Sequence, residues 1–198
     1  MLSCKVLTQN RNKWIGKIAL ILVIISIIIH SATEPMYAAA AGDNLKAQAE
    51  KIVSKKVNSS DSAKMKLKKL FKYAENTYDY KRVMGFDTYN GWEKDYALET
   101  YSDKKGSCYH FAAAYAFLAK KATGYKVRIG VGKTNGFSGA LQGHAWTEIK
   151  IDSKWYICDT NMDKYAEKSS GKYFLKRRKN LKKVYDDFND VEYFTARF

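Results

Sequence analysis

Cys108, His144 and Asp159 carry the side chains needed for nucleophilic catalysis by a thiol. A free thiol with a pKa near 8.5 is only about 3% thiolate at pH 7, so it needs an activating neighbour. An imidazole can take the thiol proton and later give it to a leaving amine, while a carboxylate holds that imidazole in one tautomer. We therefore expect Cys108 to attack an amide carbonyl, with His144 as the base and Asp159 as its orienting partner.

Cys108 lies at the start of a predicted buried helix. The run from Phe111 to Ala119 is apolar nearly all round, and Gly124 follows at a suitable position for a helix C terminus. The amide groups and dipole at a helix N terminus stabilise a thiolate and can form half of an oxyanion hole. His110 is two positions further along the same helix, where side chains diverge by about 200°. We predict that it has a packing or surface role.

A predicted hairpin brings His144 and Asp159 together. If Asp152-Ser153 forms a two-residue loop, residues equidistant from it pair, and His144 and Asp159 become diagonal neighbours on one face. The same register turns Cys158 to the opposite face. Two of the three cysteines, Cys108 and Cys158, lie outside the N-terminal 41 residues, and in an exported protein such a pair usually forms a disulfide. This register instead predicts that Cys158 is a core thiol, not a partner of Cys108. A loop longer by one residue would reverse the faces.

The elements that position these residues are predicted from apolar spacing. Helical spacing predicts helices over 44–58, after Ser60-Asp61 and from Trp92 to Thr100. Alternation then predicts strands over 125–131, 144–151 and 154–159, with a glycine-rich loop from Gly132 to Gly143 as the rim of a cleft. A further strand is expected at Gly171–Leu175, followed by a basic helical tail. Helices followed by antiparallel strands predict an α+β fold.

The first 41 residues have the pattern of a secretory signal peptide. Four basic residues precede the apolar run Ile18–Ile29, and alanines at 38–41 supply a small-residue cleavage site. The apolar run is short for a membrane span, although Trp14-Ile15 could lengthen it into an uncleaved signal anchor. We expect a secreted or envelope-associated protein.

The net charge of +15 predicts affinity for acidic partners. Removal of residues 1–41 leaves a charge of +12 over 157 residues, a length that suits one domain. The densest basic run, Lys176–Lys179, carries no nucleic-acid motif. We expect an acidic wall or membrane surface as a partner, no nucleic acid, and a monomer.

Three segments around the candidate residues resemble the signature blocks of the transglutaminase-like superfamily. They are Gly106–Ala112, His144–Trp146 and Trp155–Thr160, and their cysteine, histidine and aspartate are spaced by 36 and 15 residues. The resemblance covers residues 90–176 and departs from the family at Thr160, where proline is common. It implies a papain-like core in which a nucleophile helix packs on an antiparallel sheet, with extra N-terminal helices.

The resemblance also implies a domain organisation and a range of reactions. We expect a signal peptide at 1–41, an N-terminal helical segment at 42–80 and a transglutaminase-like catalytic domain at 81–198. Members act on glutamine or peptide amides as crosslinking enzymes, peptidases or deamidases, and some are inactive. No calcium-site pattern is visible, and we expect no metal or cofactor. Trp92 and Trp146 are the expected cleft residues, with core packing as the alternative for both.

Two other functions fit parts of the pattern. A cell-wall peptidase of the NlpC/P60 type also places a cysteine before a histidine, although its third polar residue is usually not an aspartate in a block like Trp155–Thr160. A catalytically inactive, envelope-binding module of the same fold would use only the positive charge. The complete Cys108, His144 and Asp159 set favours an enzyme.

Overall fold

The computed structural model describes residues 42–166, 171–181, 183–186 and 188–198. The predicted signal peptide, residues 1–41, lies outside these ranges. The helices of the described chain are residues 42–56 (α1), Ala63–Thr77 (α2), Trp92–Asp103 (α3), Cys108–Thr123 (α4) and Thr160–Tyr165 (α5). The strands are Asp79–Tyr80 (β1), Lys105–Gly106 (β2), Lys126–Thr134 (β3), Gln142–Ile151 (β4), Lys154–Cys158 (β5) and Glu192–Thr195 (β6). No helix within the described ranges is long and apolar enough to cross a membrane.

Helix α4 is the centre of the core. All of its side chains from Phe111 to Ala119 are buried, as its apolar sequence predicts. A helix that is apolar all round needs neighbours on every side, and α4 has them in α2, α3 and strands β3 and β4. It ends at Gly124, which adopts the left-handed conformation (φ +71°) that favours glycine at this position.

The main sheet lies against α4 and has the strand order β5-β4-β3-β6, with every pair antiparallel. Helix α1 and helix α2 contribute Leu45, Ala49 and Leu67 to the same buried cluster that holds α4. Helix α1 is already helical at residue 42, two residues before the start predicted from the sequence. The α+β class with a helix packed on an antiparallel sheet is confirmed.

The hairpin register between β4 and β5 is the predicted one. Ile151 pairs with Lys154 and Thr147 pairs with Cys158. The loop has two residues because Asp152 and Ser153 both take positive φ values (+46° and +64°), the geometry of the tight turn that matches strand twist. This register fixes the side of the sheet on which each residue of the candidate site lies.

The two faces of β4 have different neighbours. Thr147 faces α4 and donates a hydrogen bond to the carbonyl oxygen of Ala112 at 2.8 Å. Cys158 is buried on that face, and neither it nor Cys108 is in a disulfide. Trp146 lies on the other face, in a second buried cluster with residues of the C-terminal segment 171–198. The prediction that Cys158 is a core thiol is therefore confirmed.

The prediction for the C-terminal segment was wrong. Gly171–Leu175 forms turns, Leu175 has a positive φ of +51°, and the residues of the basic stretch that the structure describes form no helix longer than the short 3-10 turn Arg178–Asn180. A second short turn, Phe188–Asp190, leads into β6, which pairs with β3. This strand was not predicted because only four residues form it. It completes the outer edge of β3, where unpaired backbone groups would otherwise face solvent.

The glycine-rich loop is shorter than predicted, spanning 135–141, because Gly132 and Gly143 lie inside β3 and β4. Nearby Gly130 is needed for packing on the sheet. A Cβ atom there would lie 2.8 Å from the indole of Trp146. Gly130 and Gly132 of β3 thus leave room for the indole of Trp146, which lies across this strand.

A buried pair of carboxyl groups joins α2 to α5. Glu75 and Asp163 are both almost completely buried, and Lys72 lies 2.6 Å from Glu75 and 3.7 Å from Asp163. Asp163 accepts hydrogen bonds from the backbone amides of Gly171 and Tyr173. Burial, and then the hydrogen bond to Asp163, raises the pKa of Glu75 to about 7. Glu75 therefore carries the proton of the pair below neutral pH.

We predict that Glu75→Gln removes one source of pH-dependent stability. Because the pKa of Glu75 is raised from 4.5 to about 7, its contribution is complete below pH 4.5 and is lost as pH rises through 7. Between about pH 5.5 and 8.5 the wild type should lose about 1–2 kcal/mol of unfolding free energy relative to the variant. Urea unfolding at several pH values measures this difference. The exposed Glu50→Gln is the control, and parallel curves for wild type and Glu75→Gln would contradict the prediction.

Candidate active site

Cys108 is the first residue of α4, and Ser107 before it has the extended backbone of an N-cap. The preceding residues are held by a short parallel pairing of β1 with β2, in which Tyr80 lies opposite Gly106. The Cys108 side chain is 7% exposed. It combines a position at the positive end of a long helix with a surface open to a cleft.

His110 stabilises this helix start. Its Nδ1 accepts a hydrogen bond from the backbone amide of Ser107 at 3.3 Å, so its proton is on Nε2, which lies 3.0 Å from Glu99. The ring stacks on Tyr96 with centroids 4.0 Å apart. Burial lowers the pKa of His110, although Glu99 opposes that effect. The structure thus gives His110 a capping role, in agreement with its predicted packing role.

His144 and Asp159 form a buried pair. Nε2 of His144 lies 2.6 Å from Oδ2 of Asp159, and each residue is at most 2% exposed. Asp159 follows the last residue of β5 and is the N-cap of α5, where its Oδ1 accepts a hydrogen bond from the amide of Met162 at 2.9 Å. Tyr185 donates a third hydrogen bond, to Oδ2 at 2.7 Å. The carboxylate is therefore fixed by three donors from three parts of the chain.

The surroundings of His144 favour its protonated form. Burial alone would lower the pKa of its imidazole, but the charge and hydrogen bond of Asp159, together with a hydrogen bond to Cys108, outweigh that effect and raise the pKa. Since Asp159 takes Nε2, the nitrogen available to the Cys108 thiol is Nδ1. Cys108 and His144 line the same cleft and His144 is hydrogen-bonded to Asp159, so the structure brings the three predicted residues together in the order thiol, imidazole and carboxylate.

The cleft in front of Cys108 and His144 has a volume of about 550 Å³. Its walls combine aromatic and polar side chains, contributed by Asp79, Tyr80, Phe137, Gln142, Asn161 and Tyr165. Phe137 comes from the loop 135–141 and meets the ring of His144 edge-on, at 5.4 Å between centroids. A pocket of this size and mixed lining is typical of small-molecule and peptide side-chain sites.

The expectation that Trp92 and Trp146 line this cleft was wrong. Trp92 is completely buried and packs edge-to-face on Phe86, Tyr109 and Phe194, because it begins α3 with its indole turned into the core. Trp146 is 1% exposed and stacks near His144 from behind, with centroids 6.4 Å apart. Both tryptophans are core residues.

Several residues of the site were not predicted from the sequence. Tyr80 and Tyr165 line the cleft, and the Tyr165 hydroxyl is 2.9 Å from the backbone amide of Tyr80. The sequence around Tyr80 did not predict its place in the cleft, because that place depends on the pairing of the two-residue strand β1 with β2. Tyr185 could not be found because the segment around it was predicted to be a helix.

No metal site accompanies these residues in the described part of the chain, where no group of three or more His, Cys, Asp or Glu could hold an ion. The fold and the connected Cys108, His144 and Asp159 define a papain-like α+β protein with a cysteine, histidine and aspartate at the junction of helix and sheet. The chain belongs to the transglutaminase-like superfamily, whose family model matches residues 47–160. That match begins within α1, upstream of the residues 90–176 that carry the resemblance in sequence.

Two solved structures are similar to the chain at low sequence identity. One is a protein from Cytophaga hutchinsonii described as a candidate cysteine protease, with 16% identity and a TM-score of 0.48, covering 79% of this chain and 52% of that one. The other is described as a TGase, with 21% identity and a TM-score of 0.41, covering 62% of this chain and 32% of that one. The chain thus spans about half or less of the length of these proteins. No curated protein gives a significant match.

We predict that Cys108 reacts with iodoacetamide near pH 6, where an isolated thiol hardly reacts, and that His144→Ala lowers this rate at least about tenfold. The reason is that His144 lines the same cleft as Cys108 and can take the proton of the thiol. Mass spectrometry of the peptide containing Cys108 measures the rate.

His110→Gln is the matched control for this experiment. It removes the other buried histidine, while glutamine at the third position of the helix can still accept the hydrogen bond of the Ser107 amide. The control should keep the wild-type rate. Equal losses in the two variants would contradict the assignment of His144 as the partner of the thiol.

Proposed function

We propose that the chain is a secreted acyl-transfer enzyme that uses Cys108 as a nucleophile on amide bonds of protein glutamine side chains or peptides. The observation that supports this most directly is that Cys108 and His144 line one open cleft while Asp159, a buried carboxylate, is hydrogen-bonded to Nε2 of His144. A structural histidine would not need a buried carboxylate on the nitrogen opposite a thiol. Superfamily membership is consistent with this chemistry.

The reaction follows from the roles of the three side chains. His144 takes the thiol proton on Nδ1, and the thiolate of Cys108 attacks the amide carbonyl carbon to form a carbon–sulfur bond. The negative carbonyl oxygen is stabilised by amide groups at the start of α4. The imidazolium then gives its proton to the leaving nitrogen as the carbon–nitrogen bond breaks, which leaves a thioester on Cys108.

The thioester is resolved by water or by an amine. Water gives a carboxylic acid, while a primary amine gives a new amide, and both restore the thiol and the neutral imidazole. During both steps Asp159 supports the positive charge on His144. Burial of the pair by Trp146 and Tyr185 keeps water from competing for their hydrogen bond.

Our proposal also places the enzyme at an acidic surface. A groove of about 490 Å³ is lined by Lys51, Lys55 and Lys56 of α1, with Tyr73, Tyr101 and Lys104 opposite. It is adjacent to a second hollow lined by Lys56, Lys69 and Lys72. This concentration of positive charge supports attachment to anionic lipid headgroups or acidic wall polymers outside the cell.

The triad assignment predicts three matched losses of activity. Cys108→Ala should abolish amide turnover, and His144→Ala and Asp159→Asn should each lower kcat by about 10³–10⁴-fold, because each interrupts the same proton path. Mass spectrometry of model proteins incubated with a primary amine measures the products: amine addition, amide-to-acid conversion and fragments distinguish the three reactions. Circular dichroism verifies folding. A folded Cys108→Ala protein that retains turnover would refute the proposal.

The lysine groove predicts salt-sensitive binding to anionic membranes. Replacing Lys51, Lys55 and Lys56 together by alanine should weaken binding to phosphatidylglycerol vesicles on the order of 100-fold at low salt, since each lysine near such a surface contributes about 1 kcal/mol. Vesicle sedimentation measures the effect. Replacing Lys126, Lys150 and Lys154 instead makes the same charge change elsewhere. Equal weakening by both triple variants would show that net charge matters and the groove does not.

A further inference from the structure

Tyr185 belongs to the C-terminal segment 171–198, beyond the residues matched by the family model. Its hydroxyl donates to Oδ2 of Asp159 at 2.7 Å, and the same oxygen lies 2.6 Å from Nε2 of His144. One carboxylate oxygen therefore holds both the imidazole and the phenol. A residue of the C-terminal segment is in direct contact with the candidate catalytic pair.

The backbone around Tyr185 is fixed to the end of β3. The amide of Asn135 donates to the carbonyl oxygen of Val184 at 3.1 Å, and the amide of Asp186 donates to that of Lys133 at 3.1 Å. The Thr134 hydroxyl donates to the same Val184 oxygen at 2.6 Å. These bonds lie on both sides of Tyr185, so its side chain has a defined starting point.

The side chain of Tyr185 is equally constrained. It is 2% exposed, and its ring packs on the indole of Trp146 with centroids 4.6 Å apart. Burial, followed by the neighbouring charge of Asp159, raises the pKa of Tyr185 well above its usual value, so the phenol remains a donor. A donor held in this way gives direction as well as charge stabilisation to the carboxylate.

A second attachment holds the same segment against β4. Glu148 is completely buried and accepts two hydrogen bonds from Arg178, at 3.0 and 2.9 Å. A second arginine, Arg128, also binds this carboxylate, and its Nε donates to Glu148 at 2.8 Å. Trp146 donates to Glu148 at 3.2 Å. The indole that packs on Tyr185 is thus bonded to the anchor of the C-terminal segment.

We propose that Tyr185 is a positioning residue that holds Asp159 directed at Nε2 of His144, so that the C-terminal segment completes the active site. This inference rests on the proposed catalytic role of Cys108, His144 and Asp159. Without the phenol, Asp159 would lose one of its three hydrogen bonds in a buried position, and its carboxylate could turn away from Nε2. A carboxylate turned away in this manner no longer supports the imidazolium.

Tyr185→Phe tests this role because it removes the hydroxyl and keeps the ring on Trp146. We expect kcat near pH 6 to fall by about 10- to 100-fold, the effect of losing one hydrogen bond to a charged group, with KM within about twofold of the wild type. The acid limb of the pH–rate profile should move to higher pH, and the alkylation rate of Cys108 should follow it. Turnover should recover partly at alkaline pH.

Tyr115→Phe is the matched control. Its hydroxyl is also buried and donates to the carbonyl oxygen of Leu67 at 3.1 Å, within the helical core. It should lower Tm in the same way and leave the pH profile unchanged. If Tyr185→Phe also lowers Tm and leaves the profile unchanged, its role is structural only and the inference is overturned.

A second variant covers the case in which Tyr185→Phe does not fold. Incorporation of 3-fluorotyrosine at position 185 keeps the size of the side chain and makes the phenol a stronger donor, so the acid limb should move to lower pH. An unmoved limb would overturn the inference. The two proposals fail in different experiments. If Cys108→Ala loses turnover and both Tyr185 variants keep the wild-type pH profile, the triad stands and only the role of Tyr185 is excluded. If folded Cys108→Ala retains turnover, the proposed function itself is refuted.

Discussion

The hydrogen bond between His144 and Asp159 is the interaction on which the arrangement of the molecule depends. Burying a carboxylate costs several kcal/mol unless donors replace its water. Asp159 obtains these donors from β4 through His144, from the start of α5 through the amide of Met162, and from the C-terminal segment through Tyr185. Three distant parts of the chain therefore have to be in place before this charge can be buried. Formation of the site and completion of the fold are in this sense a single event.

The second constraint is the position of the sulfur at the start of α4. The helix has to be buried all round to fix its axis, and its first turn has to remain open to the cleft. The pairing of β1 with β2 holds Gly106, which precedes the helix, and leaves the first turn of α4 open to the cleft. Gly106 also has to be a glycine, since a Cβ atom there would lie 2.4 Å from His110. The position of the Cys108 sulfur is thus set mainly by backbone and helix-capping groups.

Local rules predicted those parts of the site that depend on local geometry. The apolar run of α4 placed Cys108 at a helix start, and the two-residue loop at Asp152-Ser153 fixed the face of His144 relative to the strand that ends before Asp159. The same rules failed where position depends on contacts between distant segments. Tyr185 reaches Asp159 because the backbone on both sides of it is bonded to the end of β3, and nothing in the basic sequence around it indicates that contact. The prediction that Trp92 lines the cleft was wrong for a different reason: an aromatic residue that is near Cys108 in sequence can still point into the core.

A comparison of the buried carboxylates explains why only one of them is suited to chemistry. Glu75 avoids the cost of a buried charge by keeping a proton up to about neutral pH, next to Asp163. Glu148 is balanced by two arginines, which do not titrate in the accessible pH range. Asp159 lies opposite an imidazole, a group that gains and loses a proton under ordinary conditions. Each of these carboxyl groups is buried, but Asp159 is bonded to a partner that can carry a proton to or from the cleft that Cys108 also lines.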